Sequence, residues 1–201
     1  MDGRHERSRR TRARVIAAAT RLLVDDGYLS TTVGAVADEA GVGVQTVYYL
    51  FGTKRNLLAA VLDASIAGDT DPVPVLARPW VDELAAADDA ATAIALLVEA
   101  STAILTRAAP VYDVVRRAAA DAEVGELLAD NRARRRADQR HLVEVLADAG
   151  HLRPDVPVGR AADIVYALLN EEVILFLTVD CAWPPAEFRA WATTTLLHQL
   201  T

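Results

Sequence analysis

One cysteine, Cys181, among 201 residues excludes an internal disulfide and a thiolate metal cluster. Its chemistry predicts a small buried or half-buried hydrophobe. The four histidines, His5, His141, His151 and His198, are scattered without the spacing of a metal site or a catalytic triad. A glycine-rich phosphate loop and a nucleophile elbow are likewise absent. No catalytic residue, metal ligand or cofactor is therefore assigned, and nothing points to an enzyme. Long apolar runs are missing too, because charged residues interrupt them before the ~20 residues that a membrane span needs. The opening MDGRHERSRR carries charge but no apolar signal core, which predicts a cytoplasmic protein with no membrane partner. Apolar alternation bounded by hairpin turns is also lacking, which excludes a strand-built fold.

What is present is unevenly charged. Residues 1–60 hold nine basic side chains (Arg4, Arg7, Arg9, Arg10, Arg12, Arg14, Arg21, Lys54 and Arg55) against six acidic ones, a surplus of three. The chain as a whole stands at -7, so the remainder carries -10. A basic end on an acidic body predicts a polyanion partner for the N-terminal end alone. A disordered, solubilising arginine-rich tail is the plainer alternative.

The stretch Thr31 to Lys54, TTVGAVADEAGVGVQTVYYLFGTK, predicts two short helices joined by a tight turn and the start of a third. Thr31 or Thr32 can cap the first, whose inner face is Val33, Val36, Ala37 and Ala40. Gly41 suits the left-handed backbone that stops it. Val42, Val47 and Leu50 then pack back on that first helix. Gly43, Val44, Gln45, Thr46, Tyr48 and Tyr49 are left outward, a set that suits insertion into a major groove of double-stranded DNA. Arg10 to Asp26 reads as a preceding support helix that stops at Gly27, and Thr53 caps a fourth helix, 54–67.

From about Arg10 to Leu62, through RVIAAATRLLVDDGY, TTVGAVADEAGV, VQTVYYLFGTK and NLLAAV, the chain resembles the DNA-binding domain of the TetR family of bacterial transcriptional regulators. The resemblance implies an all-α fold of about nine helices. A three-helix helix-turn-helix domain with a basic arm would occupy residues 1–55, and a helical effector-binding and dimerisation domain residues 56–201. It assigns Thr32 and Lys54 to the DNA backbone, Gly43, Val44, Gln45 and Thr46 to the groove, and Tyr48 and Tyr49 to its edges. Gly34 and Leu50 depart from the family pattern, where longer or histidine side chains are frequent, and imply fewer polar contacts. Function follows as a homodimeric repressor on a palindromic operator, released by a small-molecule effector. A ligand-independent or protein-regulated DNA binder of the same fold is the alternative.

The remaining apolar runs predict helices near 80–87, 89–107, 110–120, 122–149, 158–179 and 185–200, with the proline-rich GDTDPVPVLARP as a break. Apolar residues around most of the circumference of the 158–179 helix need burial on two sides. The family implies that the last two helices form the dimer interface, here Leu168, Phe176, Phe188 and Trp191, with Leu196, Leu197 and Leu200 on the same face. Trp80, Tyr112, Tyr166, Asn170 and Glu171 are polar or amphipathic groups in apolar surroundings and are candidate effector-pocket residues. Glu171 or Asp113 could receive a cationic group. Arg132, Arg134, Arg135, Arg136 and Arg140 form a basic cluster that reads as a solvated, ion-paired face.

Overall fold

The computed structural model describes residues 2–69 and 73–201, with side chains from Glu6 onward. The side chains of Arg4 and His5, and residues 70–72 of the expected proline-rich break, lie outside the described residues. The fold is all-α, as expected, and no strand forms among the described residues. Helices α1 (Asp2–Ser30), α2 (Val33–Ala40), α3 (Val44–Phe51) and α4 (Lys54–Ala67) come first. They are followed by α5 (Pro79–Ala85), α6 (Ala90–Arg117), α7 (Ala122–Asp148), α8 (Val158–Leu168), α9 (Glu171–Leu175) and α10 (Pro185–Leu200). A single π turn, Phe176–Asp180, prolongs α9.

Several boundaries differ from expectation for physical reasons. α1 begins well before Arg10, since Glu6 accepts from Arg9 and Arg10 at 2.6 and 2.9 Å and so holds the basic arm in helical register. Gly27 (φ 81°, ψ 167°) then breaks the helical path where the stop was expected. Thr31 secures that break by donating from its hydroxyl to the Gly27 carbonyl at 2.8 Å. The expected 89–107 and 110–120 helices are one, with Pro110 inside α6. An exposed proline costs a helix one hydrogen bond, and here buried Ala108, Ala109, Val111 and Tyr112 on either side outweigh that loss. Conversely the expected 158–179 helix is broken at Leu169–Asn170, where Asn170 is extended and caps α9. α6 is long and apolar enough in composition to cross a membrane, but Ile94, Leu97, Val98 and Leu105 are buried in the fold, which makes it a core helix.

Two compact units result. One comprises Met1–Pro72 with Pro110–Ala129, the other Val73–Ala109 with Asp130–Thr201. The division was expected at residue 55; by compactness α4 falls in the first unit, and α6 and α7 are divided between the two. The first unit's core joins Val15, Ala19, Leu23, Val36, Val47, Leu58 and Val61 to Val111, Val115, Val124 and Leu127 from the α6–α7 tip. That tip turns tightly. Asp121 Oδ1 accepts from the Glu123 and Val124 amides, capping α7. A Cβ on Gly125 would lie 2.9 Å from the Ala119 carbonyl oxygen. Gly125→Ala should therefore destabilise the chain by about 1–3 kcal/mol. Gly159→Ala, which meets open space in α8, should be neutral or stabilising, and thermal melts of the two variants compare them directly.

The second unit's core gathers Leu84, Ile94, Leu97, Leu146, Val165, Leu169, Ile174, Phe188, Leu196 and Leu200.

Candidate nucleic-acid interface

The reading pair is set by two caps and a glycine turn. Thr32 Oγ1 accepts from the Ala35 amide at 3.1 Å, which starts α2 and leaves the Thr32 hydroxyl hydrogen free to donate outward. Thr31, the other candidate cap, is buried instead. Gly41 is left-handed (φ 62°), and the Val42 amide reaches back to the Ala37 carbonyl at 3.0 Å, which closes the turn. Val36, Ala37 and Ala40 face inward from α2, and Val47 and Phe51 from α3.

α3 presents its other face. Gly43, Val44, Gln45, Tyr48 and Tyr49 are exposed, Thr46 is half-buried, and Tyr49 is 88% exposed. No hydrogen bond engages the side chains of Gln45, Thr46, Tyr48 or Tyr49 among the described residues, so this end of the helix keeps its full donor and acceptor capacity. A Cβ on Gly34 would make only ordinary contact with Thr32 Oγ1 at 3.7 Å, so a larger residue is not sterically excluded there.

The cations around this face divide into two kinds. Arg12 donates to the Leu50 carbonyl at 3.3 Å and lies 4.6 Å above the Phe51 ring, which ties α1 to the end of α3. Arg14 reaches the Gly41 carbonyl at 3.4 Å and Arg21 pairs with Glu39 at 2.5 Å. These are scaffold contacts. Arg7 is exposed, and Lys54, the first residue of α4, sits with its ammonium 4.3 Å from the centre of the Tyr28 ring. Burial lowers the Lys54 pKa, with the Asp121 carboxylate pulling it the other way. Burial raises that of Tyr28, assisted by Asp121 and Glu123.

The other candidate residues are distributed across the units. Tyr112 is fully buried in the first unit's core, while Trp80 is half-buried against the second. Asn170 Oδ1 accepts from the Glu172 and Val173 amides at 2.9 Å, so it acts as a helix cap. Glu171 is buried and paired with Arg135, whose guanidinium lies 4.4 Å over the Tyr166 ring. Burial raises the Glu171 pKa and Arg135 opposes that rise. Asp113 is already engaged by Arg116 and Arg117 at 2.7 and 2.6 Å.

The expected basic face is corrected in one member. Arg132, Arg136 and Arg140 pair with Glu172, Asp163 and Glu144 in solvent, but Arg135 points inward. Sequence reading missed it because its carboxylate partner stands 36 residues away rather than on its own helix. Phe188 is corrected too. It is fully buried within its own chain, as are Leu196 and Leu200, and presents no apolar surface outward. Leu168, Trp191 and Leu197 remain partly exposed, with Phe176 at 56% and Val179 at 67%. Cys181, expected to be buried or half-buried, is exposed.

Residues 15–61 match the family model for bacterial regulatory proteins of the tetR family. No curated protein matches the sequence. Solved structures share the whole architecture. A proposed transcriptional regulator from Saccharomonospora viridis, in complex with choline, is 21% identical with a TM-score of 0.69, over 94% of this chain and 96% of that one. The regulator FadR from Bacillus subtilis, in complex with stearoyl-CoA, is 15% identical with a TM-score of 0.70, over 92% and 96%. NalD from Pseudomonas aeruginosa, the secondary repressor of a multidrug efflux pump, is 19% identical with a TM-score of 0.69, over 98% of each chain. At these identities the likeness is one of fold.

Proposed function

We infer that this chain, with a TetR-family domain at residues 15–61 and the fold of that family's regulators over nearly its whole length, is a cytoplasmic repressor that binds a palindromic operator as a homodimer and is released by a small-molecule effector. The observation that carries the DNA reading is the outward end of α3, unpartnered and backed by capped, glycine-turned scaffold. Gln45 can pair bidentately with adenine, Val44 can meet a thymine methyl, and Thr32, Tyr48 and Tyr49 can donate to phosphates. Two such heads on a symmetric dimer would stand about one helical turn of DNA apart, ~34 to 36 Å.

Exposed Phe176 and Val179, with half-buried Leu168 and Trp191, support the dimer. An effector binding the body would bias one setting of α4, α6 and α7, and coupling of this kind typically amounts to 1 to 3 kcal/mol. The bound molecules of the Saccharomonospora and Bacillus structures support an effector without identifying it.

Lys54→Ala should weaken binding to every duplex and reduce the slope of log affinity against log salt by about one. Gln45→Ala should change base preference and leave that slope alone. Both are read from selection on random duplexes and salt titrations. A pure protein that enriched no sequence would end the regulator reading.

A further inference from the structure

Within the second unit, α7 carries a buried stripe with unused hydrogen-bonding capacity. Asn131, Arg135 and Gln139 are four residues apart and share one face of the helix. Asn131 is 3% exposed and Gln139 8%. Asn131 Oδ1 and Gln139 Oε1 are buried acceptors, and Arg135 Nε a buried donor, without a partner among the described residues. Thr102 Oγ1 on α6, in the same unit, is another such atom.

Two of these side chains, Gln139 and Arg135, are held in place by their other atoms. Gln139 Nε2 donates to the Leu169 carbonyl at 2.9 Å, where the α8–α9 break has removed the ladder partner. Arg135 pairs with Glu171 and stacks on Tyr166. Arg135 Nε and Gln139 Oε1 are therefore fixed in position, and Asn131 Oδ1 is buried one turn away on the same face. Proteins pair more than nine in ten of their buried polar groups, and each one left unpaired is destabilising. A repeated set on one stripe calls for an outside partner.

The charge of that partner follows from Arg135, which Glu171 already answers. An anion or a cation would find no unanswered countercharge in this poorly solvated place, whereas a neutral group needs none. From residue 131 to 139 the stripe runs ~12 Å along the helix axis. Leu142, Val165 and Ile174 in the unit's core are aliphatic.

We propose that the ligand of the effector reading above, on which this inference rests, is an uncharged, elongated and largely apolar molecule whose hydroxyl or amide groups bond to Asn131, Arg135 and Gln139. Decanamide, decanoate and decyltrimethylammonium, each below its micellar concentration, share a ten-carbon chain and differ in headgroup charge. Calorimetry on the full chain should find decanamide bound at least tenfold more tightly than either ion. Asn131→Leu removes an unpaired acceptor at similar volume and should lower decanamide affinity at least tenfold, while the melting temperature of the ligand-free protein holds or rises. Asn131→Ala, which adds no bulk, should lose the amide equally. Binding of no probe, or of either ion as tightly as the amide, would overturn the proposal. So would a fall in ligand-free melting temperature of more than about 5 °C in both variants, since Asn131 would then serve the fold itself. Decanoate that bound best and released operator would sink the neutral class and leave the effector reading standing; the duplex selection tests the regulator reading separately.

Discussion

Trp191→Asp should turn a stable dimer into monomers at micromolar concentration and abolish operator binding, with the monomer still folded. Trp191 is partly exposed on α10, edge-on to Trp183 at 6.0 Å and beside buried Phe188, so aspartate there meets solvent in a lone subunit. In a dimer that covers this surface the same carboxylate is desolvated and unpaired, a cost of several kcal/mol. At 1.4 kcal/mol per tenfold, that weakens association by roughly 100-fold or more. Light scattering and circular dichroism separate the two consequences. Phe188→Ala is the contrasting variant, because its ring is buried at home and its loss should reduce stability in both states. A dimer indifferent to aspartate at both Leu168 and Trp191 would place the interface elsewhere.

Glu171→Ala should destabilise the chain by about 3–5 kcal/mol, because it strands the Arg135 guanidinium in the interior. Replacing both partners with leucine should recover most of that loss, since no charge is then left to solvate. Urea melts of Glu171→Leu, Arg135→Leu and the double complete the cycle. An additive double variant, as unstable as the two singles combined, would mean that the pair does not act as a unit.

Elements governed by chemistry close in sequence were readable from the residues. The Thr32 and Thr53 caps and the Gly41 turn each depend on groups within five residues, and the structure has them. So do the bounds of α4 and α10, which rest on a cap, a glycine or paired prolines. Where distant packing decides, the residues alone misled. Pro110 signals a break, yet buried neighbours carry α6 through it. Asn170, polar amid apolar residues, was a pocket candidate, but the α8–α9 break turns it into a cap. An apolar helical face also does not reveal whether it meets its own core or another subunit, which is why Phe188 and Trp191 were grouped although the first is buried and the second is not. The inward Arg135 belongs here too, because a cation's surroundings depend on which helix crosses it.

The placement of the α6–α7 tip within the first unit bears on how such a protein can be remade by recombination. A cut at residue 72 does not release a self-sufficient unit, because Val111, Tyr112, Val115, Val124 and Leu127 belong to that unit's core and lie some forty to fifty-five residues further on. A crossover that exchanged residues 1–72 alone would set new partners against an old tip and lose complementary packing. Exchange of specificity between relatives would have to carry two separate stretches together, or proceed by substitution at the few outward positions of α3, which pack against nothing that must change with them.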